Sequence, residues 1–414
     1  MRPNDIKRRT MNPRASTSPA LVEFVILIAL IISLVALSID AMLPALPHIA
    51  ADLGVTRIND SQYVITVFFA GMGIGQIFFG PLSDSIGRRP AILSGLLLFA
   101  AGCLLSILAV DFTQMLLGRF LQGLGASGPR IVSIALVRDC FKGREMARVM
   151  SFVMTVFILV PVFAPAVGQG ILLIADWRLI FVMFLGLIVA VGFWFWQRQP
   201  ETLTRDKRIA FSVAQLIHDT RGILRLRAAF GYTLAMGLVF GAFIGYLSSS
   251  QQIFQVQYQL QDLFPLYFGI LAAAIGCASL VNARLVMRFG MRRLSRIALS
   301  AICLLSFPFF LLALVFDGHP NLYLLMLYLL IVFFCFGVLF GNLNAMAMEP
   351  LGNIAGLGSA VVGSISTLIS VVFGVIVANA YDNTVLPLVL GFAVLGLIAL
   401  LVMRWTEAGL APEI

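Results

Sequence analysis

The segment GPLSDSIGRRP, residues 80–90, separates two long apolar runs of the chain. Its glycines and prolines favour a tight turn, so the runs on either side are predicted to be antiparallel. The turn also carries one carboxylate, Asp84, and two guanidinium groups, Arg88 and Arg89. Charge-assisted hydrogen bonds between these groups can hold one closed arrangement of the turn. A turn that only anchors the topology is the simpler alternative.

The composition around this turn is that of a membrane protein. The chain has 414 residues, of which 60% are hydrophobic and only 11% are charged, and its mean hydropathy is +1.01. Soluble domains carry about 25% charged residues, so this chain lacks the charge to cover a water-facing surface. These values exclude a soluble nucleic-acid-binding protein and an extracellular disulfide scaffold.

Apolar runs long enough to cross a bilayer recur along the whole chain. Continuous runs indicate helices, because the strands of a membrane barrel would alternate polar and apolar residues. We therefore predict an all-α membrane protein. Its twelve transmembrane helices are expected at residues 21–43, 61–79, 91–110, 112–137, 149–173, 179–196, 228–249, 263–281, 294–316, 321–345, 357–380 and 385–403.

The turn after the second run recurs after the eighth run as LVMRFGMRR, residues 285–293, with Met287 in the place of Asp84. Each of these two strings follows the second run of a six-run half, which predicts that the halves descend from one six-helix unit. Two six-helix halves are the architecture of large secondary transporters. The expected units are a cytoplasmic N-terminal tail (1–20), a first half (21–196), a cytoplasmic linker with a short amphipathic helix (197–227), a second half (228–403) and a cytoplasmic C-terminal tail (404–414).

The basic residues predict the orientation. With the N-terminus inside, 24 of the 28 Lys and Arg residues fall on the cytoplasmic side, which places both termini in the cytoplasm. The positive charge then marks topology and does not predict a nucleic-acid partner. Apart from Arg296, at the cytoplasmic edge of its span, only Arg119 and Arg130 lie within a predicted span.

Asp40 is the carboxylate near the outer end of the first predicted span. A carboxylate at membrane depth is costly, so it is expected to face a cavity or a partner. Loss of water favours the neutral form, as a reversible proton carrier requires. Arg119 is predicted at a comparable depth, where it can pair with Asp40 or exchange partners with it. The alternative is an interfacial Asp40 that reaches outward, because Pro44 marks the predicted end of the span.

Other polar residues of the spans are candidates for a substrate cavity: Gln122, Arg130, Tyr246 and Asn344. Arg119 and Arg130 are eleven residues apart, about three helical turns, so they project from nearly one face. A purely structural role for Arg130 is the open alternative. The string GLGASG, residues 123–128, matches a dinucleotide motif formally, but no strand precedes it, and close helix packing explains it better.

Helix breakers stand in the middle of the fifth run, at Pro161, Pro165, Gly168 and Gly170. The prolines remove backbone hydrogen bonds and bend a helix, while the glycines allow close approach. A structural kink without further function is the alternative.

These strings resemble known transporters. The turn at 80–90 resembles the signature loop of the major facilitator superfamily, and the Pro161 segment resembles the antiporter motif of its exporters, although Ala164 and Gln169 replace glycines there. The resemblance implies a cytoplasmic gate formed by Gly80, Asp84, Gly87, Arg88, Arg89 and Asp139.

Over residues 21–405, the strings around Asp40, Arg119 and Glu349 narrow the resemblance to the Bcr/CflA family of drug:proton antiporters. It implies export of small hydrophobic compounds in exchange for protons across the bacterial inner membrane.

We therefore expect a monomeric, proton-coupled exporter in contact with membrane lipid, with Asp40 and Arg119 as the proton-coupling residues and without a cofactor or metal. A carrier of the same fold for a sugar or amino-acid derivative is the nearest alternative, and its mark would be charged or amide groups deep in both halves. An intramembrane enzyme is not expected, because His48, His218 and His319 all fall in predicted loops.

Overall fold

The structure, a computed structural model, describes residues 19–409 and consists of helices joined by short turns. The α-helices are α1 (Pro19–Asp40), α2 (Leu46–Asp52), α3 (Tyr63–Ile86), α4 (Arg88–Ile107), α5 (Phe112–Cys140), α6 (Gly143–Leu172), α7 (Arg178–Arg198), α8 (Val213–Arg225), α9 (Arg227–Gln251), α10 (Phe264–Phe289), α11 (Met291–Val315), α12 (Leu322–Met348), α13 (Ala355–Asn379) and α14 (Leu386–Glu407). Among the described residues, twelve helical segments are long and apolar enough to span a membrane. The predicted fold class and the number of spans are confirmed.

The first span is longer than predicted. It runs from Leu21 to Asp52 and contains a break after Asp40, where a 3₁₀ turn (Leu43–Ala45) joins α1 to α2. The prediction that this span ends at residue 43 is therefore wrong. The physical reason is that Pro44 and Pro47 stand at the first positions of helical segments, where proline has no hydrogen bond to lose.

Close helix packing in the first half depends on small residues. A Cβ atom at Gly123 of α5 would lie 1.9 Å from the Phe68 carbonyl oxygen of α3, and one at Gly125 would lie 2.4 Å from the Phe99 nitrogen of α4. These residues therefore let α5 pack directly against two neighbouring backbones, as predicted for the GLGASG string.

Helices α1–α7 precede the linker and α9–α14 follow it, and the two sets meet mainly along two helix pairs, α3 with α13 and α6 with α10. In both pairs, the second span of one half packs against the fifth span of the other. This two-fold arrangement is what an internal six-helix repeat produces. The predicted unit boundaries, 21–196 and 228–403, remain a proposal.

The two ends of the bundle differ in charge. We call the end that carries the turn at 80–90, Arg138 and the linker the basic end, and the other end, which carries residues 53–62 and 380–385, the opposite end. The linker contains the predicted amphipathic helix as α8. Leu216 and Ile223 are its buried residues, and it packs against the start of α9.

Candidate functional site

Asp40 lies at the break in the first span, at the end of α1. Its side chain is 5% exposed, so the alternative of an interfacial residue that reaches outward is wrong. The span continues for twelve residues beyond it, to Asp52, and keeps the carboxyl inside the bundle. Within residues 19–409, the carboxyl has no recorded hydrogen bond or ion pair. The 3₁₀ turn that follows packs against α9, and Asp40 lies within electrostatic range of the Tyr246 phenol of that helix.

Arg119 of α5 is fully buried and binds backbone and amide oxygens. Its guanidinium donates to the Val64 carbonyl at 3.0 Å, to the Ser38 carbonyl at 3.1 Å and to Gln122 Oε1 at 2.6 Å. It also lies 4.6 Å from the centre of the Phe68 ring. The predicted ion pair between Arg119 and Asp40 does not form in this conformation. Arg119 instead ties α1, α3 and α5 together just before the break.

Gln122 supports Arg119 and does not line an open cavity. Its side chain is fully buried, accepts the hydrogen bond from Arg119 and donates to Ser106 Oγ at 3.3 Å. The prediction that Gln122 contacts substrate is not supported in this conformation, because both of its polar atoms are engaged within the first half.

Arg130 lies about three turns from Arg119 on the same face of α5 and is half-buried. Its one recorded hydrogen bond in the described part of the chain is a weak one, 3.4 Å from Nη1 to the sulfur of Met72. Met72 precedes Gly73, which lies against Thr367 and Leu368 of α13. Arg130 is therefore held near the part of the interface where α3 packs against α13.

Aromatic rings form a layer on the second-half side of this interface. The Phe240 ring meets the Phe69 ring across the halves at 5.6 Å and stacks on Phe243 at 5.9 Å. Phe340 contacts both Phe240 and Phe243. Phe240, Phe243 and Phe340 are half-buried. The sequence offered one signal for the rings of α9, because Phe240, Phe243 and Tyr246 recur every three residues along one side of that helix.

Tyr246 belongs to this layer and is fully buried. Its ring meets Phe333 at 4.6 Å, and its hydroxyl has no hydrogen-bond partner among the described residues. Asn344, by contrast, is exposed on the last turns of α12, toward the basic end. Its neighbour Asn342 forms reciprocal hydrogen bonds with Asn282 of α10, at 2.8 and 3.1 Å. Of these two predicted cavity residues, only Tyr246 lies close to Asp40.

At the opposite end, amide groups join the two halves. Gln62 donates to Gln252, and Asn59 donates to the carbonyl oxygens of Asn379 and Tyr381 at 3.2 and 2.8 Å. Asn379 in turn donates to the Tyr63 hydroxyl at 3.1 Å. Sequence reasoning missed this contact, because its partners are separated by between 190 and 322 residues.

An open depression of about 410 Å³ lies at the same end. It is lined by Arg57, Asn59, Asp60, Tyr63 and Asn379. Gln62 and Gln252 are almost fully buried beside it, so this end of the interface is closed to water.

At the basic end, Arg88 is the centre of an ionic cluster. It pairs with Asp84 at 2.5 Å and with Asp139 at 3.0 Å, and donates to Ser83 Oγ at 2.7 Å. Arg89 donates to the Trp196 carbonyl at 2.5 Å. These partners all lie in the first half, so in this conformation the cluster holds α3, α4, α5 and the end of α7 together. Across the halves, a Cβ atom at Gly80 would lie 2.8 Å from that of Ala360.

The linker completes this cluster through Glu201, a residue that sequence reasoning missed. Its carboxylate accepts hydrogen bonds from the backbone nitrogens of Arg88 and Arg89, both at 3.0 Å. A carboxylate at this position satisfies free N–H groups at the start of α4 and complements the helix dipole. Gly87 precedes that helix with φ +110°, and a Cβ there would lie 2.4 Å from Glu201. The positive φ favours glycine at this position.

The predicted antiporter motif lies on one uninterrupted helix, α6, which includes Pro161 and Pro165. A Cβ at Gly168 would lie 2.0 Å from the Ala41 carbonyl oxygen, next to Asp40. At Gly170, no atom of the described residues lies within 4 Å of that position. The two glycines therefore differ, and only Gly168 permits the approach of α6 to the break in the first span.

Comparison with known proteins establishes the family. The family model of the Major Facilitator Superfamily matches residues 28–375. This chain belongs to the major facilitator superfamily. It is 31% identical over 357 residues to the uncharacterized MFS-type transporter YdgK of Bacillus subtilis, covering 85% of this chain and 87% of that protein.

Two further similarities agree with this assignment. The chain is 29% identical over 374 residues to the bicyclomycin resistance protein homolog of Haemophilus influenzae, covering 88% and 91% of the two chains, which confirms the resemblance to the Bcr/CflA family. A bacterial homolog of the human lysosomal transporter Spinster, solved in an inward-facing, occupied conformation, shares the fold with a TM-score of 0.71 at 14% identity, over 96% of this chain and all of that one.

This member of the superfamily is a multi-pass transporter of the bacterial inner membrane, and it is not an enzyme. The residue roles predicted from the sequence are not tested by these similarities and remain proposals.

Proposed function

We propose that this transporter exports small hydrophobic compounds and takes up protons in exchange. The observation that carries this proposal is the state of Asp40, a carboxyl that is 5% exposed and has no recorded hydrogen bond or ion pair in residues 19–409. A buried carboxylate without a cation is costly, and protonation removes that cost. Asp40 can therefore take up a proton when water reaches it from one side and release it on the other.

The position of Asp40 links this proton to the relative position of the halves. The turn after Asp40 packs against α9, and the Tyr246 phenol lies within its electrostatic range. A change in the charge of Asp40 therefore acts on a contact between the halves. Coupling is reciprocal, so a substrate that weakens proton binding is itself displaced by protons to the same degree.

Alternating access requires a gate at each end of the bundle, and each end has groups that can form one. The amide contacts of Gln62, Asn59, Gln252 and Asn379 close the opposite end, and the Arg88 cluster acts as the gate at the basic end. We assign the basic end and both termini to the cytoplasm, because cytoplasmic loops carry the excess of Lys and Arg. A single chain supplies all of these groups, so the proposed transporter works as a monomer.

The half-buried rings of Phe240, Phe243 and Phe340 favour apolar and aromatic substrates. A carrier for a sugar or amino-acid derivative would need charged or amide groups deep in both halves. In the second half, the amides of Asn282 and Asn342 bond to each other, and aromatic rings lie at the interface, which supports the export of hydrophobic compounds.

Accumulation of chloramphenicol and bicyclomycin in everted membrane vesicles tests the proposal, with the pH gradient imposed. We expect the wild type to accumulate at least one of them only with the gradient. Asp40→Asn should abolish this accumulation and Asp40→Glu should retain part of it. Asp262→Asn, in an exposed loop of the opposite end, is the matched control. Undiminished accumulation by Asp40→Asn would exclude the proton role, and accumulation without a gradient would exclude antiport.

A further inference from the structure

Arg130 is a cation that the protein leaves without an anion. It lies within a membrane span, and no carboxylate of the described residues pairs with it. Its recorded hydrogen bond goes to a thioether sulfur, which is a weak acceptor. Arg119, on the same helix face, differs completely, because three oxygens satisfy its guanidinium. A cation at membrane depth normally has a partner, so the environment of Arg130 is incomplete.

Aromatic rings lie at the interface one helical turn from Met72, the residue that Arg130 contacts. Met72 lies one turn after Phe69 on α3, and the Phe69 ring meets Phe240 across the interface. Phe240 and Phe243 are stacked and half-buried, so part of their ring surface is free. Ring faces of this kind bind the flat body of an aromatic compound by offset or edge contacts. A guanidinium about one helical turn from free aromatic surface is complementary to an aromatic body that carries a negative group.

The charges near this interface disfavour a lipophilic cation. Within the described spans, the acidic group near the interface is Asp40, and in the proposed cycle it carries a single negative charge when the substrate has displaced the proton. Arg119 and Arg130 then leave the interface positive, and a lipophilic cation is repelled.

We propose that Arg130 binds the negatively charged group of an aromatic substrate, so that aromatic anions are among the compounds exported. This inference rests on the proposed export function and specifies its substrate class. The guanidinium donates charge-assisted hydrogen bonds to the anionic group, while the rings of Phe240 and Phe243 hold the aromatic body.

A direct binding experiment tests this without a proton gradient. The probes are 1-naphthoate and 1-naphthylmethylammonium, which share a ring system and carry opposite charges. Binding to the purified full-length protein in detergent is measured by isothermal titration calorimetry. We expect the wild type to bind the anion more tightly than the cation. Arg130→Gln should weaken binding of the anion by at least about tenfold, the loss of a charge-assisted contact, and should leave binding of the cation unchanged or stronger.

Two variants keep this test interpretable. Arg130→Lys preserves the charge and should retain most of the affinity for the anion. Arg225→Gln, at an exposed position in α8, should leave the affinity for both probes unchanged. The variants of Arg130 should fold, because they remove no ion pair, and a single symmetric peak in size-exclusion chromatography checks this.

Equal affinity of the wild type for the two probes, unchanged anion binding by Arg130→Gln, or no binding of 1-naphthoate to the wild type would overturn the inference. The export function is tested separately, by the effect of Asp40→Asn on accumulation in vesicles, so its failure can be distinguished from failure of this inference.

Discussion

The Arg119 guanidinium donates to the Ser38 carbonyl at 3.1 Å, two residues before Asp40, and leaves the Asp40 carboxyl without an ion pair. The arginine thus fixes the backbone at the end of α1 while the acid remains free to bind a proton. An ion pair between the two would have stabilised the charged carboxylate and opposed its protonation.

Replacement of Arg119 should destabilise the fold. Arg119→Gln cannot reach the Ser38 and Val64 carbonyls together with Gln122, and each buried acceptor left without a donor costs about 1–3 kcal/mol. We expect a clearly lower midpoint of thermal unfolding for purified Arg119→Gln. Arg130→Gln is the matched control and should unfold close to the wild-type temperature. Equal midpoints for all three proteins would show that the hydrogen bonds of Arg119 do not stabilise this state.

Loss of the amide contact between Gln62 and Gln252 should open the opposite end. Both side chains are almost fully buried, so leucine at position 252 removes the acceptor of the Gln62 amide and weakens closure. Spin labels at Arg57→Cys and Asp382→Cys, exposed positions on different halves, report the separation by double electron–electron resonance after removal of the native cysteines. We expect a longer distance population in Gln252→Leu.

The matched control for that opening is Gln114→Leu. Gln114 lies at the same end, and its recorded contacts stay within the first half, to Val110 and Asp111. It should leave the distance distribution unchanged. If Gln252→Leu gave the wild-type distribution as well, the amide contact would not be part of the gate.

Gly168 and Gly170 should respond differently to the same substitution. A Cβ at Gly168 would meet the Ala41 carbonyl at 2.0 Å, and backbone cannot move aside cheaply, whereas the position at Gly170 is open. We expect Gly168→Ala to lower both the thermal stability and the gradient-driven transport, because it pushes α6 away from the break beside Asp40. Gly170→Ala should match the wild type in both measurements. Equal behaviour of the two variants would mean that the close approach is not required.

Glu201 should stabilise the basic end. Alanine at this position removes both hydrogen bonds to the first turn of α4, and loss of a helix cap costs about 0.5–2 kcal/mol. We expect a lower unfolding midpoint for Glu201→Ala. Glu145→Ala, an exposed acidic residue in the first turn of α6, should cost much less. A loss no larger than that of Glu145→Ala would argue against the cap.

The sequence predicted several features of the site that depend on local chemistry. The break between the second and third spans was predicted, but the predicted turn over 80–90 is wrong: residues 80–86, Pro81 included, continue α3, and only Gly87 separates it from α4. Asp84 and Arg88 lie close together, and they are four residues apart. The common face of Arg119 and Arg130 follows from helical periodicity. The aromatic layer was missed, because phenylalanine suits both lipid contact and an internal interface, and only the tertiary packing distinguishes them.

By itself, the sequence determined how many times this chain crosses the membrane and that it consists of helices, because the apolarity of each run is a local property judged against the bilayer. Only the tertiary structure decided that the first span continues past Pro44 to Asp52, that carbonyl oxygens rather than Asp40 satisfy Arg119, and that Gln62 meets Gln252. Each of these features depends on contacts between residues that are far apart in the chain and that only the packing of helices brings together. A local pattern of residues therefore cannot predict them.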